Sequence, residues 1–152
     1  MSRAEKAKEY FNQGYACSQA VALAFADVVG VEEEILLKSM LPFGGGLGRL
    51  RLTCGAVSGM AAIIGLVFSK EENTPENKQN TYKIVQQLCK EFESETGSLI
   101  CSDLLSGANL KVEVGGVAEN RTETYYKKRP CGDLVYLAAD VLEKYLKEQG
   151  KI

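Results

Sequence analysis

The sequence predicts an all-α fold, a single domain over residues 1–152 built from about six helices around a buried, glycine-containing central one. Three observations carry this. Apolar residues recur at helical spacing along most of the chain. No segment sustains the alternation of a strand; the one candidate, Lys111 to Val117, is too short to found a sheet. Helix punctuation falls where the periodic runs begin and end, with Thr74-Pro75 ahead of one run and Gly14, Gly30 and Gly97 behind others.

The first helix is expected over 4–14, with Ala4, Ala7, Tyr10 and Phe11 on its apolar side. A second runs from about Ala16 to Val29 on a stripe of Cys17, Ala20, Val21, Ala24, Phe25 and Val28. A third, acidic at its start as the helix dipole favours, covers about Glu32 to Leu41 and stops at Pro42. A glycine-rich loop, Pro42 to Thr53, leads into the central helix, about Thr53 to Ser69. Leu52 to Ser69 is uncharged, but it is shorter than the roughly 20 apolar residues of a membrane span and holds three glycines, so it reads as a core helix.

Thr74 as N-cap and Pro75 at the first helical position open the next helix, which should run to about Thr96 with Tyr82, Val85, Leu88, Cys89 and Phe92 on one face. A short helix follows over Ile100 to Leu105. Residues 107–129 are irregular and read as an excursion with at most a short turn. The last helix begins at Pro130-Cys131 and carries the stripe Leu134, Leu137, Ala138, Val141, Leu142 and Tyr145 to about Gln149.

Composition narrows the chemistry. Hydrophobic residues make up 45 % and charged residues 25 %, which suits a folded globular chain. The net charge of −2 offers nothing to a phosphate backbone, so no nucleic-acid partner is expected. There is no histidine, which removes Ser–His and Cys–His catalysis, His–metal sites and proximal-His haem ligation. The first residues, MSRAEKAKEYF, have no apolar signal region. A reducing cytoplasm is therefore the expected compartment, and a protein embedded in a membrane is not expected.

What stands out is five cysteines. Cys17, Cys54, Cys101 and Cys131 each fall in the expected first turn of a helix, followed at i+3 and i+4 mostly by small or apolar residues. All four thiols should therefore point inward at helix N-termini, whose free N–H groups and positive dipole end favour a thiolate. Cys89 lies mid-helix on an apolar stripe and reads as core. The four form no C-x-x-C, so any shared site is assembled in space, as a catalytic thiol group or as a set of metal ligands. Gly55 and Gly59 put small residues beside Cys54, for close helix packing or for the approach of a second sulfur or a cofactor. Gly44-Gly45-Gly46-Leu47-Gly48 lacks the features of a phosphate loop and reads as a tight turn. Arg49 and Arg51 read as solvated loop charges; close to Cys54 they would lower its pKa. Asp103 and Asp133, each two residues past a cysteine, suit helix N-termini.

The motifs G-Y-A-C-S-Q-A, C-G-A-V-S-G, T-G-S-L-I-C-S-D-L-L and R-P-C-G-D-L-V, in that order, resemble the C_GCAxxG_C_C family of redox-active proteins. The family cysteines fall on Cys17, Cys54, Cys101 and Cys131, and its C-G-A-x-x-G motif on Cys54 to Gly59. Cys89 has no counterpart. Similar domains occur in split-Soret cytochromes, which carry haem and iron–sulfur cofactors. Without histidine or C-x-x-C-H the haem does not transfer, whereas a cysteine-ligated cluster could. The resemblance implies a redox protein using its four cysteines with an unnamed redox partner. Either thiol pairs cycle through disulfides, with Cys54 as attacking thiolate, or all four cysteines bind an iron–sulfur cluster. The rival readings are a structural or adaptor domain with a Cys₄ zinc site or plain core thiols, and a binding module using the glycine loop.

Overall fold

The computed structural model describes residues 1–152 and is helical throughout, with no strand; the all-α expectation holds, with more and shorter helices than the six expected. The helices are α1 (Arg3–Asn12), α2 (Cys17–Leu23), α3 (Ala26–Val29), α4 (Glu33–Met40), α5 (Gly44–Leu47), α6 (Gly55–Phe68), α7 (Pro75–Thr96), α8 (Cys101–Gly107), α9 (Glu123–Lys128) and α10 (Cys131–Glu148). A 3₁₀ turn, Leu41–Phe43, links α4 to α5.

The extra elements have local causes. The single helix expected over 16–29 breaks at Phe25, whose backbone leaves the helical region (φ −120, ψ 13). No breaker residue marks this spot, where the Phe25 side chain is fully buried. α5 is one distorted turn, since Gly45 and Gly46 carry left-handed φ of +66 and +75. The irregular stretch past residue 107 does contain a helix, α9, capped by Thr122, whose Oγ accepts from the Tyr125 N–H at 3.1 Å.

Elsewhere the punctuation works as read. Ser2 and Glu5 close a reciprocal capping box on α1. Thr74 caps α7 through the Asn77 N–H, with Pro75 at the first position, and Gly97 ends it in the left-handed conformation.

One hydrophobic cluster of 25 buried residues runs from Ala4 to Leu146. At its centre lies α6, with Met60, Ile63 and Ile64 fully buried. It packs on α2, α7 and α10. Gly59 sits at the closest approach of α6 to α2, where an added methyl would meet the Ser18 carbonyl at 2.6 Å. α1 lies along α10, and the Arg3 N–H donates to Glu143 at 3.1 Å. The apolar face expected of α7 is shorter than read. Only Leu88 and Phe92 are buried, and Tyr82 is 56 % exposed, because the N-terminal half of this long helix extends past the core. No helix is long and apolar enough to cross a membrane.

Candidate redox centre

Three of the four cysteines open helices: Cys17 begins α2, Cys101 begins α8 and Cys131 begins α10. Cys54 is the N-cap of α6. The chain brings these ends together in identifiable ways. An isolated antiparallel bridge pairs Thr53 with Ile100. Its hydrogen bonds, Cys54 N–H to Leu99 O at 2.8 Å and Cys101 N–H to Leu52 O at 2.6 Å, set the starts of α6 and α8 side by side. Gly46 packs so tightly that an added methyl would meet the Cys101 Cβ at 2.7 Å. A methyl at Gly55 would collide with the Cys17 sulfur, so a glycine there is what lets Cys17 reach the Cys54 end of α6.

All four cysteines line one cavity of about 300 Å³, as does Gly55. Cys89 stands apart, half-buried on α7, and Gly59 lies outside the lining. No three Cys, Asp or Glu side chains stand close enough to hold a metal ion between them, so the sulfurs are arrayed around a space rather than about a point. The four are close enough to feel one another: a charge on Cys17 or on Cys131 would bear on Cys54, and one on Cys101 would bear on both Cys17 and Cys131.

Burial decides the protonation of these thiols. It pushes Cys54 well above the ordinary thiol range; Cys17 adds to the rise, and the N–H groups of Ala56 and Val57 offset only part of it. Cys17 is also raised, by burial first, against the N–H groups of Gly45 and Ser18. Cys131 is pushed up to about 12 by burial and then by Cys17, with Arg129 and Arg121 pulling the other way. The helix N-termini are where the sequence put them. Their N–H groups do favour the thiolate, yet desolvation of a charge is the larger effect here. Cys54 is therefore a protonated thiol at neutral pH and not the ready thiolate expected.

The arginines overturn another expectation. Arg49 and Arg51 are not solvated loop charges: they line the cavity, and Arg51 is only 6 % exposed. Both take left-handed backbone, φ +69 and +62, which turns their side chains inward while Leu50 and Leu52 lie exposed. Non-glycine residues pay for such conformations, and that strain concentrates at functional sites. The Arg51 Nη1 donates to the Cys101 sulfur at 3.8 Å and its Nε to the Glu113 carbonyl at 2.9 Å. Arg49 donates to the Gly115 carbonyl at 2.7 Å. Neither is among the main influences on the Cys54 thiol. Arg121 and Arg129 also line the cavity, from the segment that covers it. The sequence carried no signal for these two beyond their charge. Asp103 and Asp133 face elsewhere: Asp103 accepts from Ser98 Oγ and Asp133 pairs with Lys8, both at 2.8 Å.

Fold and site together define a class, helical proteins that gather four cysteines from helix N-termini around one cavity. The chain belongs to the C_GCAxxG_C_C family, described as "Putative redox-active protein (C_GCAxxG_C_C)", whose profile matches residues 15–145. The fold is similar to that of the split-Soret cytochrome c from Desulfovibrio desulfuricans ATCC 27774, solved as a protein with a novel iron centre. The TM-score is 0.61 at 16 % sequence identity, covering 99 % of this chain and 70 % of that one. No curated protein sequence matches the chain.

Proposed function

We propose that Cys17, Cys54, Cys101 and Cys131 together ligate an iron–sulfur cluster and that the protein transfers electrons. The observation that carries this reading is the convergence of four cysteines on one cavity, with N–H donors from Gly45, Ser18, Ala56 and Val57 and a guanidinium from Arg51 at their sulfurs. Such donors support thiolates that ligate a metal and tune its potential. The donor set fits: four thiols, no competing imidazole, and a lining of mixed apolar and cationic groups. A cluster of several irons spreads its ligands further apart than one tetrahedral zinc ion does. When bound, a cluster supplies one-electron transfer; the chain's residues hold it, hydrogen-bond its ligands and exclude water. The likeness to a cytochrome with an iron centre supports the iron part alone, since this chain has no histidine for haem. We assign the protein to the reducing cytoplasm, where the thiols stay available.

A second reading, dithiol–disulfide exchange, draws on the Cys17 sulfur lying against Gly55, the residue next to Cys54. Protein purified without oxygen separates the two by absorbance and by iron and zinc analysis. Brown protein with iron, bleached by dithionite, supports the cluster. Colourless, metal-free protein that loses two or four thiols on oxidation would replace it with disulfide chemistry. Stoichiometric zinc indifferent to reductant would sink both and leave a structural domain.

A further inference from the structure

The cavity is electrostatically odd for this chain. The protein carries a net charge of −2, yet the charged residues lining the cavity are Arg49, Arg51, Arg121 and Arg129 against Glu119 alone. Two of these arginines are neutralised on the spot: Arg129 pairs with Glu119 at 2.7 Å and Arg49 with Glu113 at 3.4 Å. Arg51 and Arg121 have no carboxylate partner. Arg51 bonds a carbonyl and the Cys101 sulfur. Arg121 bonds the carbonyls of Phe11 at 3.0 Å and Tyr15 at 3.1 Å, and its guanidinium lies 4.3 Å from the Phe11 ring centre. A buried and a part-buried cation thus line the same cavity as the four cysteines, with no carboxylate set against either. Unpaired charge in a low-dielectric cavity is costly unless something of opposite sign belongs there.

A small free anion is one candidate for that charge. Against it, most guanidinium donors in the cavity wall are already spent on carbonyls, carboxylates and a sulfur, which leaves field rather than bidentate recognition. An anionic four-thiolate centre asks for field. Four thiolates outweigh the positive core they hold, and each electron accepted makes the assembly more negative.

We propose that Arg51 and Arg121 are positioning residues of the metal centre, two guanidiniums without carboxylate partners that offset its negative charge and raise its reduction potential. The assignment rests on the cluster reading above. Arg51 acts at Cys101, where its Nη1 reaches the sulfur; Arg121 lines the same cavity against Phe11 and Tyr15, with its charge bearing on Cys17 and Cys131. A cluster held by the four cysteines would take up one electron from the reductant with its cysteine bonds intact, and the two guanidiniums would offset the added charge.

The test is a dye-mediated potentiometric titration of the iron-loaded full chain with dithionite, followed by absorbance. Arg51→Gln and Arg121→Gln should each shift the oxidised-to-reduced ratio at fixed ambient potential at least tenfold toward the oxidised form, a fall of about 59 mV for one electron. Arg51→Lys, which keeps the charge, should recover most of the shift. Lys144→Gln is the control, an exposed cation on the far side of α10 paired only with Asp140. Potentials for Arg51→Gln and Arg121→Gln no lower than that of Lys144→Gln overturn the proposal. So does Arg51→Lys falling as far as Arg51→Gln, since charge would then not be the cause. Should Arg51→Gln not fold, Arg121→Gln and Arg51→Lys carry the same test. Wild-type protein that takes up no iron overturns the cluster reading, and this proposal with it, before any variant is compared.

Discussion

At each cysteine two effects compete, and the outcome has a measurable consequence. A helix N-terminus contributes a few tenths of a kcal/mol to about 1 kcal/mol in favour of a nearby anion. Burial of a thiolate away from water costs more, so Cys17, Cys54 and Cys131 are raised in the folded chain. A thiol that stays protonated in the fold but ionises normally in the unfolded chain stabilises the fold fully below about pH 8.5. That contribution is lost as pH climbs toward the folded value, about 12 for Cys131. The reduced, metal-free protein should therefore lose about 1.4 kcal/mol per pH unit for each such thiol above about pH 8.5, until the folded value is reached. Urea midpoints between pH 8 and 10.5 measure this, and Cys131→Ala should flatten the slope by one thiol's share. A flat wild-type profile would mean that these thiols are not desolvated. The cysteines as candidates were legible because residue type and helix position are both written in the sequence. Their protonation was not, since burial is a property of the assembled cavity. The inward turn of Arg49 and Arg51 was illegible for a related reason. Left-handed backbone at non-glycine residues leaves no compositional trace, and it reverses the usual rule that leucines go in and arginines out.

Among the helices, α6 does two jobs that a glycine pair separates. Gly55 stands against the Cys17 sulfur and the Phe43 carbonyl, 2.9 Å from where a methyl carbon would lie. Gly65, ten residues along the same helix, has nothing within 4 Å of such a methyl. Gly55→Ala should cost about 1–3 kcal/mol by overpacking and weaken iron uptake. Gly65→Ala should stabilise by about 0.5–1 kcal/mol, the ordinary helix-interior gain. Denaturant titrations of both variants, with iron analysis, check the pair; equal stabilities would mean that Cys17 does not press on α6. Helix starts that carry their own chemistry were readable in advance, Thr74-Pro75 being the clearest. The break at Phe25 was not, because the local residues have no objection to a continuous helix. α9 did have a signal, Thr122 ahead of an i,i+4 pair of Glu123 and Lys127. Its six residues are too few for a hydrophobic period to appear.

Across the molecule, stability is unevenly distributed in a way that bears on the site. Between Leu105 and Leu134 no side chain is fully buried, yet this strap supplies Arg121, Tyr125 and Arg129 to the cavity wall. It is held by polar clasps: the Gly115 N–H to the Arg49 carbonyl at 2.8 Å, Arg51 to Glu113, and Arg121 to Phe11 and Tyr15. Tyr126 adds an edge-on contact with Phe11, ring centres 5.8 Å apart. A segment with few buried apolar contacts opens at lower free energy than the core beneath it, so the strap should set how fast a reagent reaches the cavity thiols. Removing the Arg121 clasps with Arg121→Ala should lower the opening free energy by roughly 2 kcal/mol. That corresponds to about a thirtyfold faster alkylation of Cys17 and Cys131 by iodoacetamide, read by mass spectrometry of the metal-free protein. Cys89, on α7 and outside the cavity, serves as the internal reference and should keep its rate. Equal acceleration at Cys89 would mean that the variant loosens the whole fold. Cavity thiols as reactive as Cys89 in the unaltered protein would mean that the strap guards nothing. The expected pattern, a selective increase at the cavity, would make the polar clasp of the strap the element that controls access to a site whose floor is fixed by the apolar core.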